Sequence, residues 1–535
     1  MSSLPEIVDL VGLGFGPANI AIAGAVTEAW KENPSFPVKT TLFIERHEIF
    51  RWHPGMLLPG ARMQISFMKD LATLRNPGSP YTFLSYLHSE DRLLSFINRG
   101  STIPTRKEYS DYLSWASAKV QENGINVAFG HEVVDLEEGP EDTILVRFRN
   151  NRTGEEKLVR ARDLVIAPGG TPRVPDFISL FATHPRVLHS SAYATSISPI
   201  FQALSSQSRP LKVAVIGSDI AAPGGRHVVD MLIRKGSLKP SDDSPFANEI
   251  FDPASTDAWY SLPSKRLRDN VLAEYKQTNY SVVNPLTIET LYEIVYDQRL
   301  NTAIARRTEQ EEPQDPVINI RTYTKVASIR LTEDNKTNAG QPADLLLAPE
   351  ASRTDSEGQV FHLTLSNMVT ADITEEKYDV VVYATGYERS AWVNFLKHTA
   401  IGKHFGLSPA TRKVNLRPTT DLTDEASGYN TPDSPLSESR SPVSSSANTS
   451  PPTSPEASMF NSVQFEAELN NELYLTRSYQ LLPKSTPRDG GKSLVPRIYL
   501  QGVEEATHGL SDTLLSVLGI RSGEVLADLS KRPVA

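Results

Sequence analysis

Cysteine is absent from this chain of 535 residues, which also lacks long apolar runs and metal-binding histidine motifs. The absence of thiols excludes disulfides, thiolate metal sites, cysteine nucleophiles and the paired cysteines of flavin disulfide reductases. No apolar run approaches the roughly 18 residues that a membrane helix requires. No histidine spacing resembles a metal-binding motif, so we expect no metal site.

Basic residues are outnumbered by acidic ones, and the formal net charge is −10. This balance argues against nucleic acid or an anionic membrane surface as the main partner. The amino terminus enters an apolar pattern almost at once and carries no basic segment, which is unlike a signal peptide. We therefore expect a cytoplasmic protein that contains two or three domains.

The best-defined motif opens the chain, where an apolar run leads into a glycine turn and then a helix of small residues. Gly14 and Gly16 occupy the first two glycine positions of a dinucleotide-binding turn, and Asn19 replaces the third. This order lets N–H groups at a helix N-terminus face a pyrophosphate. A second apolar run ends at Glu45, where an acid can bind a ribose hydroxyl. The alternative is a glycine-rich turn that binds nothing.

An irregular stretch rich in aromatic residues follows, and its chemistry resembles the lining of a site for a flat heterocycle. Its candidate residues are Trp52, His53, Met63, Gln64 and Lys69. The alternative is a loop that packs its own apolar residues and leaves the lysine solvated. A helical pattern at 102–120 comes next, and Arg106 at its start either faces solvent or reaches the same cleft.

Short strand patterns at 125–129, 132–136 and 143–149 predict a small antiparallel sheet. The buried run 164–170 then ends in two glycines and closes the first nucleotide domain.

Six ordered motifs resemble the flavin-dependent N-hydroxylating monooxygenases, in particular the fungal L-ornithine N5-monooxygenases of siderophore synthesis. They span nearly the whole chain outside its insertions. The motifs are W-H-P-G-M (52–56), M-Q-I-S-F-M-K-D-L-A-T-L-R (63–75), P-S-D-D-S-P-F-A-N-E-I-F (240–251), T-N-Y-S-V-V (278–283), Y-A-T-G-Y (383–387) and T-H-G-L-S-D-T-L-L-S (507–516).

The resemblance implies an α/β fold with two Rossmann-like dinucleotide-binding domains, for FAD and NADPH, and a small substrate-binding region. It implies hydroxylation of the L-ornithine side-chain amine with O2, the first step of hydroxamate siderophore biosynthesis, by a homotetramer. We expect the FAD domain at 1–205, completed by 459–535, and the NADPH domain with the substrate segment at 206–400. A Ser/Pro-rich insertion at 421–458 is expected to be disordered.

The resemblance also implies roles for individual residues. A zwitterionic amino acid needs a cation for its carboxylate and amides that donate and accept, which Lys69, Asn248 and Asn279 supply. Ser511 and Thr513 are expected near the amine, and no residue identifies itself as the base that removes its proton. The cofactor residues expected besides Gly14, Gly16, Asn19 and Glu45 are Trp52, His53, Met63, Gln64, Arg106, Gly217, Ser218, Arg234, Tyr280, Thr385 and Gly386.

The second nucleotide domain departs from the family pattern. A buried strand at 212–216 ends at Gly217-Ser218, but Asp219 stands where the second glycine belongs. Residues 217–227 leave little room for a crossover between parallel strands, which normally takes about a dozen residues or more. Either NADPH binding is lost or the sequence carries a local error, such as a mispredicted exon junction.

Two alternatives to an ornithine hydroxylase therefore stay open. One is a catalytically impaired flavin-binding relative. The other is an L-lysine N6-hydroxylase, because the three substrate residues hold the end that both amino acids share.

Overall fold

The computed structural model describes residues 6–205, 209–217, 227–242, 244–309, 316–333, 358–422, 470–484, 494–510 and 514–532. In these ranges the strands are β1 (Ile7–Leu13), β2 (Thr41–Glu45), β3 (Asn126–Phe129), β4 (His131–Gly139), β5 (Thr143–Asn150), β6 (Glu156–Ile166), β7 (Thr171–Pro172), β8 (Val187–His189), β9 (Lys212–Ile216), β10 (Val228–Leu232), β11 (Val317–Arg321), β12 (Thr324–Glu333), β13 (Gln359–Asn367), β14 (Ile373–Tyr378), β15 (Val380–Tyr383), β16 (Tyr387–Glu388), β17 (Lys413–Pro418), β18 (Asn470–Leu475), β19 (Leu481–Leu482) and β20 (Arg497–Leu500).

The α-helices of the same ranges are α1 (Pro17–Glu32), α2 (Phe83–Ser89), α3 (Leu93–Asn98), α4 (Arg106–Glu122), α5 (Tyr193–Ala203), α6 (Pro245–Glu249), α7 (Ser255–Tyr260), α8 (Lys265–Asn279), α9 (Pro285–Thr308), α10 (Ala391–Leu396), α11 (Glu505–His508) and α12 (Leu518–Leu529). Several begin as the sequence favours. Pro17 opens α1, where its missing N–H costs no hydrogen bond, and Thr105 caps α4 by accepting from the N–H of Glu108.

The first sheet has the strand order β3-β2-β1-β6-β5-β4, and β20 also pairs with β6. Strands β1, β2, β3, β6 and β20 are parallel, whereas β5 is antiparallel to β6 and β4 is antiparallel to β5. The prediction that 125–129 joins an antiparallel sheet is therefore wrong. Helix α4 returns the chain to the sheet edge, so β3 is laid parallel to β2, as crossover connections require.

Small residues let α1 lie close to this sheet. The helix is buried from Asn19 to Glu28, and Ile20 and Val26 share one apolar core with the aromatic residues of α2 and α4. Helix α12 packs against α1 and adds Leu518, Val525 and Leu529 to the same core. The C-terminal segment therefore completes the first nucleotide unit.

The second sheet is parallel throughout, in the order β11-β10-β9-β15-β8. Strand β8 pairs with β15, and α5 packs Ile197 and Ile200 on the same sheet. The expected boundary at 205/206 is thus wrong, because residues 187–203 already belong to the second unit. The expected end at 400 is also late, since Trp392 of α10 packs in the core of the first sheet.

Strands β9 and β10 are parallel neighbours although only residues 217–227 connect them. Their register pairs Ile216 with Leu232, and the N–H of Gly217 donates to the Leu232 carbonyl at 3.2 Å. The expected loss of the crossover helix falls on residues 218–226, which lie outside the described residues.

Within the described ranges, the chain passes between the two units at one place. It enters the second unit through β7 and leaves through β16, and these two short strands pair antiparallel with each other. The N–H of Arg173 donates to the Gly386 carbonyl at 2.9 Å next to this pair.

A third element flanks the Ser/Pro-rich insertion, where β17 and β18 pair parallel to one another. Asp421 and Leu422 are described and helical, and Asp421 is buried, so the disorder expected from residue 421 is wrong at these two positions. The remainder of the insertion, 423–458, lies outside the described residues.

Candidate functional site

The first glycine turn has the shape that a pyrophosphate cradle requires. Gly14 has φ +86°, and a Cβ added there would lie 2.7 Å from the Ala167 carbonyl oxygen. A Cβ added to Gly16 would meet no protein atom within 4 Å, so the space before the α1 N-terminus is open to a ligand. The N–H groups of this first turn face that space, which suits a phosphate.

Asn19 and Glu45 brace the turn from two sides. The fully buried Asn19 amide donates to the Gly14 carbonyl at 2.7 Å, so this side chain supports the loop from below and does not face a ligand. One Glu45 carboxylate oxygen accepts the N–H of Phe15 at 2.9 Å, and the other accepts the N–H of His47 at 3.0 Å. A carboxylate has further lone pairs, so Glu45 can still accept a ribose hydroxyl.

An aromatic wall stands beside this turn. Trp52 is buried, its indole lies 5.8 Å from the ring of Tyr109, and the Arg106 guanidinium lies 4.9 Å from its centre. Arg106 therefore turns toward the aromatic loop and not to solvent. Part of the His53 ring reaches solvent, but the surrounding protein and the Arg106 cation lower the pKa of His53, which favours neutral imidazole.

Lys69 lies on the loop between this wall and α2, in a half-buried position. Its ammonium makes no hydrogen bond or ion pair with any residue that the structure describes. The following residue, Asp70, is buried and accepts the N–H groups of Ala72, Thr73 and Phe83 at 2.6–2.9 Å. Burial raises the pKa of Asp70, and these hydrogen bonds lower it in part. The loop is therefore held firmly while the lysine charge stays available.

Met63 and Gln64 precede that lysine on the same loop. Met63 is buried and its N–H donates to the Pro104 carbonyl at 3.0 Å, whereas Gln64 is exposed.

The carboxyl edge of the second sheet collects the residues expected at the other nucleotide. Gly217 follows β9 with φ +127°, and a Cβ added there would lie 2.7 Å from the Ala384 carbonyl oxygen. Arg234 follows β10, is exposed, and has no partner among the described residues. Ligands of open parallel sheets bind at this edge.

Thr385 and Gly386 follow β15 at the same edge. The Thr385 hydroxyl donates to the Arg173 carbonyl at 2.5 Å, so this side chain joins the segments by which the chain enters and leaves the second unit. Gly386 has φ +79° and no protein atom within 4 Å of an added Cβ.

An aromatic cluster joins the two units, and sequence reasoning did not assign it. The Tyr387 ring lies 5.2 Å from that of His189 and 6.2 Å from that of His53, and its hydroxyl contacts the Met56 sulfur at 3.0 Å. His189 Nε2 donates to the Gly386 carbonyl at 3.1 Å, because Nδ1 accepts the N–H of Ser191. The motifs at 52–56 and 383–387 contained this signal, but their contact could not be read from the sequence.

The expected substrate segment packs on the C-terminal part of the first unit. Trp259 and Leu510 share one apolar cluster, and a Cβ on Gly509 would lie 3.3 Å from the Trp259 ring. The Tyr280 hydroxyl donates to the Glu505 carboxylate at 2.6 Å, and this hydrogen bond fixes the position of the tyrosine side chain. Lys276 pairs with the same carboxylate at 2.6 Å.

Asn248 is half-buried in α6, where its N–H donates to the Ser244 carbonyl at 2.9 Å. Asn279 is the last residue of α8. The loop that carries Lys69 contacts the same C-terminal segment, since Ala72 lies against Gly519. Helix α8 contacts α11, and Phe251, shortly after Asn248, shares an apolar cluster with Leu510. Ser218, Ser511 and Thr513 lie outside the described residues.

No group of three or more His, Asp or Glu side chains in the described ranges is arranged to hold a metal ion. No helix in the same ranges combines the length and apolarity needed to cross a membrane.

One mainly parallel sheet and one fully parallel sheet, each with a glycine turn at the carboxyl edge of its parallel strands, define a protein with two dinucleotide-binding domains. Residues 6–341 match the family described as L-lysine 6-monooxygenase/L-ornithine 5-monooxygenase. This match covers more than half of the chain, and the chain belongs to that family.

Curated relatives and solved structures agree with this assignment. The chain is 61% identical to the L-ornithine N(5)-monooxygenase of Coprinopsis cinerea, over 99% of both chains. It is 46% identical to the enzyme of the same name from Ceriporiopsis subvermispora, again over 99% of both. The ornithine hydroxylase of Pseudomonas aeruginosa has a similar structure, with a TM-score of 0.66, 29% identity and coverage of 98% and 99%. The ornithine N-hydroxylase of Kutzneria sp. 744, with reduced FAD, NADP+ and L-ornithine, gives a TM-score of 0.65 at 27% identity, with the same coverage.

Proposed function

We propose that this protein hydroxylates the side-chain amine (N5) of L-ornithine with O2, using FAD and NADPH, in hydroxamate siderophore biosynthesis. The observation that carries the proposal is 61% identity over 99% of both chains with a relative named for this reaction. The site supports it, because the open turn at Gly16 suits FAD and the edge at Gly217 and Arg234 suits NADPH. Bound FAD supplies the oxygen chemistry, and NADPH supplies the electrons.

The protein's own contribution is to bind and orient the amino acid. Lys69 offers an unpaired ammonium to the α-carboxylate, while the amides of Asn248 and Asn279 can hold the carboxylate and the α-ammonium. The side-chain amine must lose its proton before it can attack, and a free amine has a pKa of about 10.4. The site must therefore either lower the pKa of the substrate amine by desolvation or accept its proton, and the buried indoles of Trp52 and Trp259 favour desolvation.

A catalytically impaired relative is the alternative that residues 217–227 raise. The unpaired Arg234 and the glycine conformation at Gly217 favour an intact NADPH site. Anaerobic stopped-flow absorbance with NADPH tests this directly. We expect fast bleaching of the bound flavin. A flavin that dithionite bleaches but NADPH does not would support the impaired relative.

The choice between ornithine and lysine is tested by product formation. We expect hydroxylated ornithine, with kcat/KM for ornithine well above that for lysine, measured by mass spectrometry of the products. A higher value for lysine would replace this proposal with an N6-hydroxylase.

We also propose a homotetramer and a cytoplasmic location, both from the family resemblance. Light scattering after size exclusion tests the first, and cell fractionation tests the second.

A further inference from the structure

Helix α9 exposes a continuous apolar stripe on the surface of the second unit. Tyr292, Tyr296, Leu300 and Ile304 are 62%, 52%, 44% and 36% exposed, at the i, i+4 spacing that places them on one face. Exposed apolar patches of this kind mark interaction surfaces more often than isolated apolar residues do.

The opposite face of α9 packs against the second sheet and fixes the position of the helix. Val295 and Ala305 are buried, and the Gln298 amide group bonds both the N–H and the carbonyl of Ile318, at 2.9 and 3.2 Å. Strand β11 is the edge of its sheet in the described residues, and α9 covers this edge, which is one way in which proteins protect edge strands. The stripe therefore faces away from the second unit, and its apolar surface is available to a binding partner.

Charges flank the stripe with opposite sign at its two ends. Glu289 lies in the first half of α9 and Arg307 in its last turn, and both are exposed. Neither makes an ion pair within the part of the chain that the structure describes. With 1.5 Å per residue, the two are about 27 Å apart along the axis and lie on the same face.

We propose that this face binds the same face of a second copy of the chain, with the two helices antiparallel about a twofold axis. An arrangement that sets Tyr296 opposite Leu300 of the second copy also sets Glu289 opposite its Arg307. Self-complementarity of this type is what an isologous interface requires. The proposal does not depend on the substrate or on the proposed reaction.

The charge pair gives a sharp test with the full-length, cofactor-bound protein. Glu289→Arg alone, or Arg307→Glu alone, places like charges opposite one another, and each should raise the dissociation constant at least tenfold. The double variant E289R/R307E restores opposite charges and should return the dissociation constant toward that of the unchanged protein. Sedimentation equilibrium at several concentrations measures the dissociation constants of the unchanged protein, the two single variants and the double variant.

Asn301→Lys is the matched control, since Asn301 is exposed on the same helix but outside the stripe. It should leave association unchanged, and thermal melting should show that every variant is folded. If the unchanged protein is a tetramer, the single variants should leave dimers held by another surface. The proposal is overturned if the unchanged protein stays monomeric, if the single variants associate normally, or if the double variant does not recover.

Discussion

The guanidinium of Arg268 donates to the carboxylate of Asp421 at 2.6 Å, and their side chains are only 2% and 4% exposed. Arg417 also donates to that carboxylate, at 2.9 Å. Arg268 belongs to α8, which ends at Asn279, whereas Asp421 is the first residue of the predicted Ser/Pro-rich insertion. One buried ion pair therefore joins a proposed substrate helix to the start of the insertion.

Removing Asp421 should leave the buried Arg268 guanidinium without its counter-charge, whereas Arg417 keeps its ion pair with Glu472 at 2.8 Å. We expect Asp421→Ala to lower the free energy of unfolding by about 3–5 kcal/mol, as is typical when one partner of a buried pair is removed. Urea denaturation followed by tyrosine and tryptophan fluorescence measures the loss. Asp269→Ala is the control, because Asp269 forms an exposed pair with Lys265 on the same helix and should change little. Equal effects of the two variants would contradict this account.

The two glycines of the first turn should respond differently to alanine. Gly16→Ala should leave the stability of the cofactor-free protein unchanged, because its Cβ meets no protein atom. It should weaken FAD binding by about tenfold or more, equivalent to about 1.4 kcal/mol, because the pyrophosphate approaches there. Gly14→Ala should lower both the stability and the affinity for FAD, since its Cβ would collide with the Ala167 carbonyl oxygen. Flavin fluorescence titration and thermal melting separate these effects, and unchanged FAD binding in Gly16→Ala would place the cofactor elsewhere.

Lys69→Met should raise KM for ornithine by about 10- to 100-fold, because hydrogen bonds to charged groups contribute about 1.5–3 kcal/mol. FAD content and the NADPH-dependent reduction rate should not change, since the Lys69 ammonium contacts no described residue. Lys69→Arg keeps the charge and should recover part of the affinity. Steady-state kinetics with product detection measures KM, and an unchanged KM in Lys69→Met would exclude this lysine from the substrate site.

Arg234→Ala should reduce the preference for NADPH over NADH by about tenfold or more, because a guanidinium binds a phosphate through charge-assisted hydrogen bonds. KM for NADPH should rise while KM for NADH stays constant. Arg234→Lys is the conservative comparison and should fall between the two. A parallel rise in both KM values would show that Arg234 supports the fold instead of the 2′-phosphate.

The free energy of unfolding should decrease as the pH falls through about 6.5, and protonation of His189 in the unfolded chain should account for part of the decrease. Burial lowers the pKa of His189, and the Gly386 hydrogen bond raises it in part. Below pH 6.5 the unfolded chain therefore binds a proton that the folded imidazole does not, which favours unfolding. His189→Gln keeps a donor for the Gly386 carbonyl, so its melting temperature should depend less steeply on pH between 7 and 5.5. Identical pH slopes would contradict this assignment.

Local patterns predicted the parts of the fold whose partners lie nearby in sequence. The run Ile7–Leu13, the positive φ of Gly14 and the proline at the start of α1 follow from a strand, a tight turn and a helix start. The acid at the end of β2 was found in the same way, and the structure adds that Glu45 already binds two N–H groups of the turn region.

Long-range partners could not be read from the sequence. Asn19 looked like a substitute for a glycine at the ligand, but it is buried because Gly12 leaves space for it beside Phe43. The pairing of β3 with β2 and of β8 with β15 depends on where helices return the chain to a sheet. Asp421 reads as part of a polar tract, and only its contact with Arg268 reveals a buried position.

The pairing of β7 with β16 has an evolutionary consequence. Because Pro172 and Tyr387 are neighbours, residues 173–386 leave and rejoin the first unit at almost the same point, as an inserted guest domain does in its host. An inserted domain of this kind can be replaced without changing the strand order of the first sheet, provided that the replacement contains a segment equivalent to residues 240–280, which pack against α11. Descendants of one flavin-binding host could therefore have acquired new electron donors and new amine substrates by replacing a single contiguous stretch of chain.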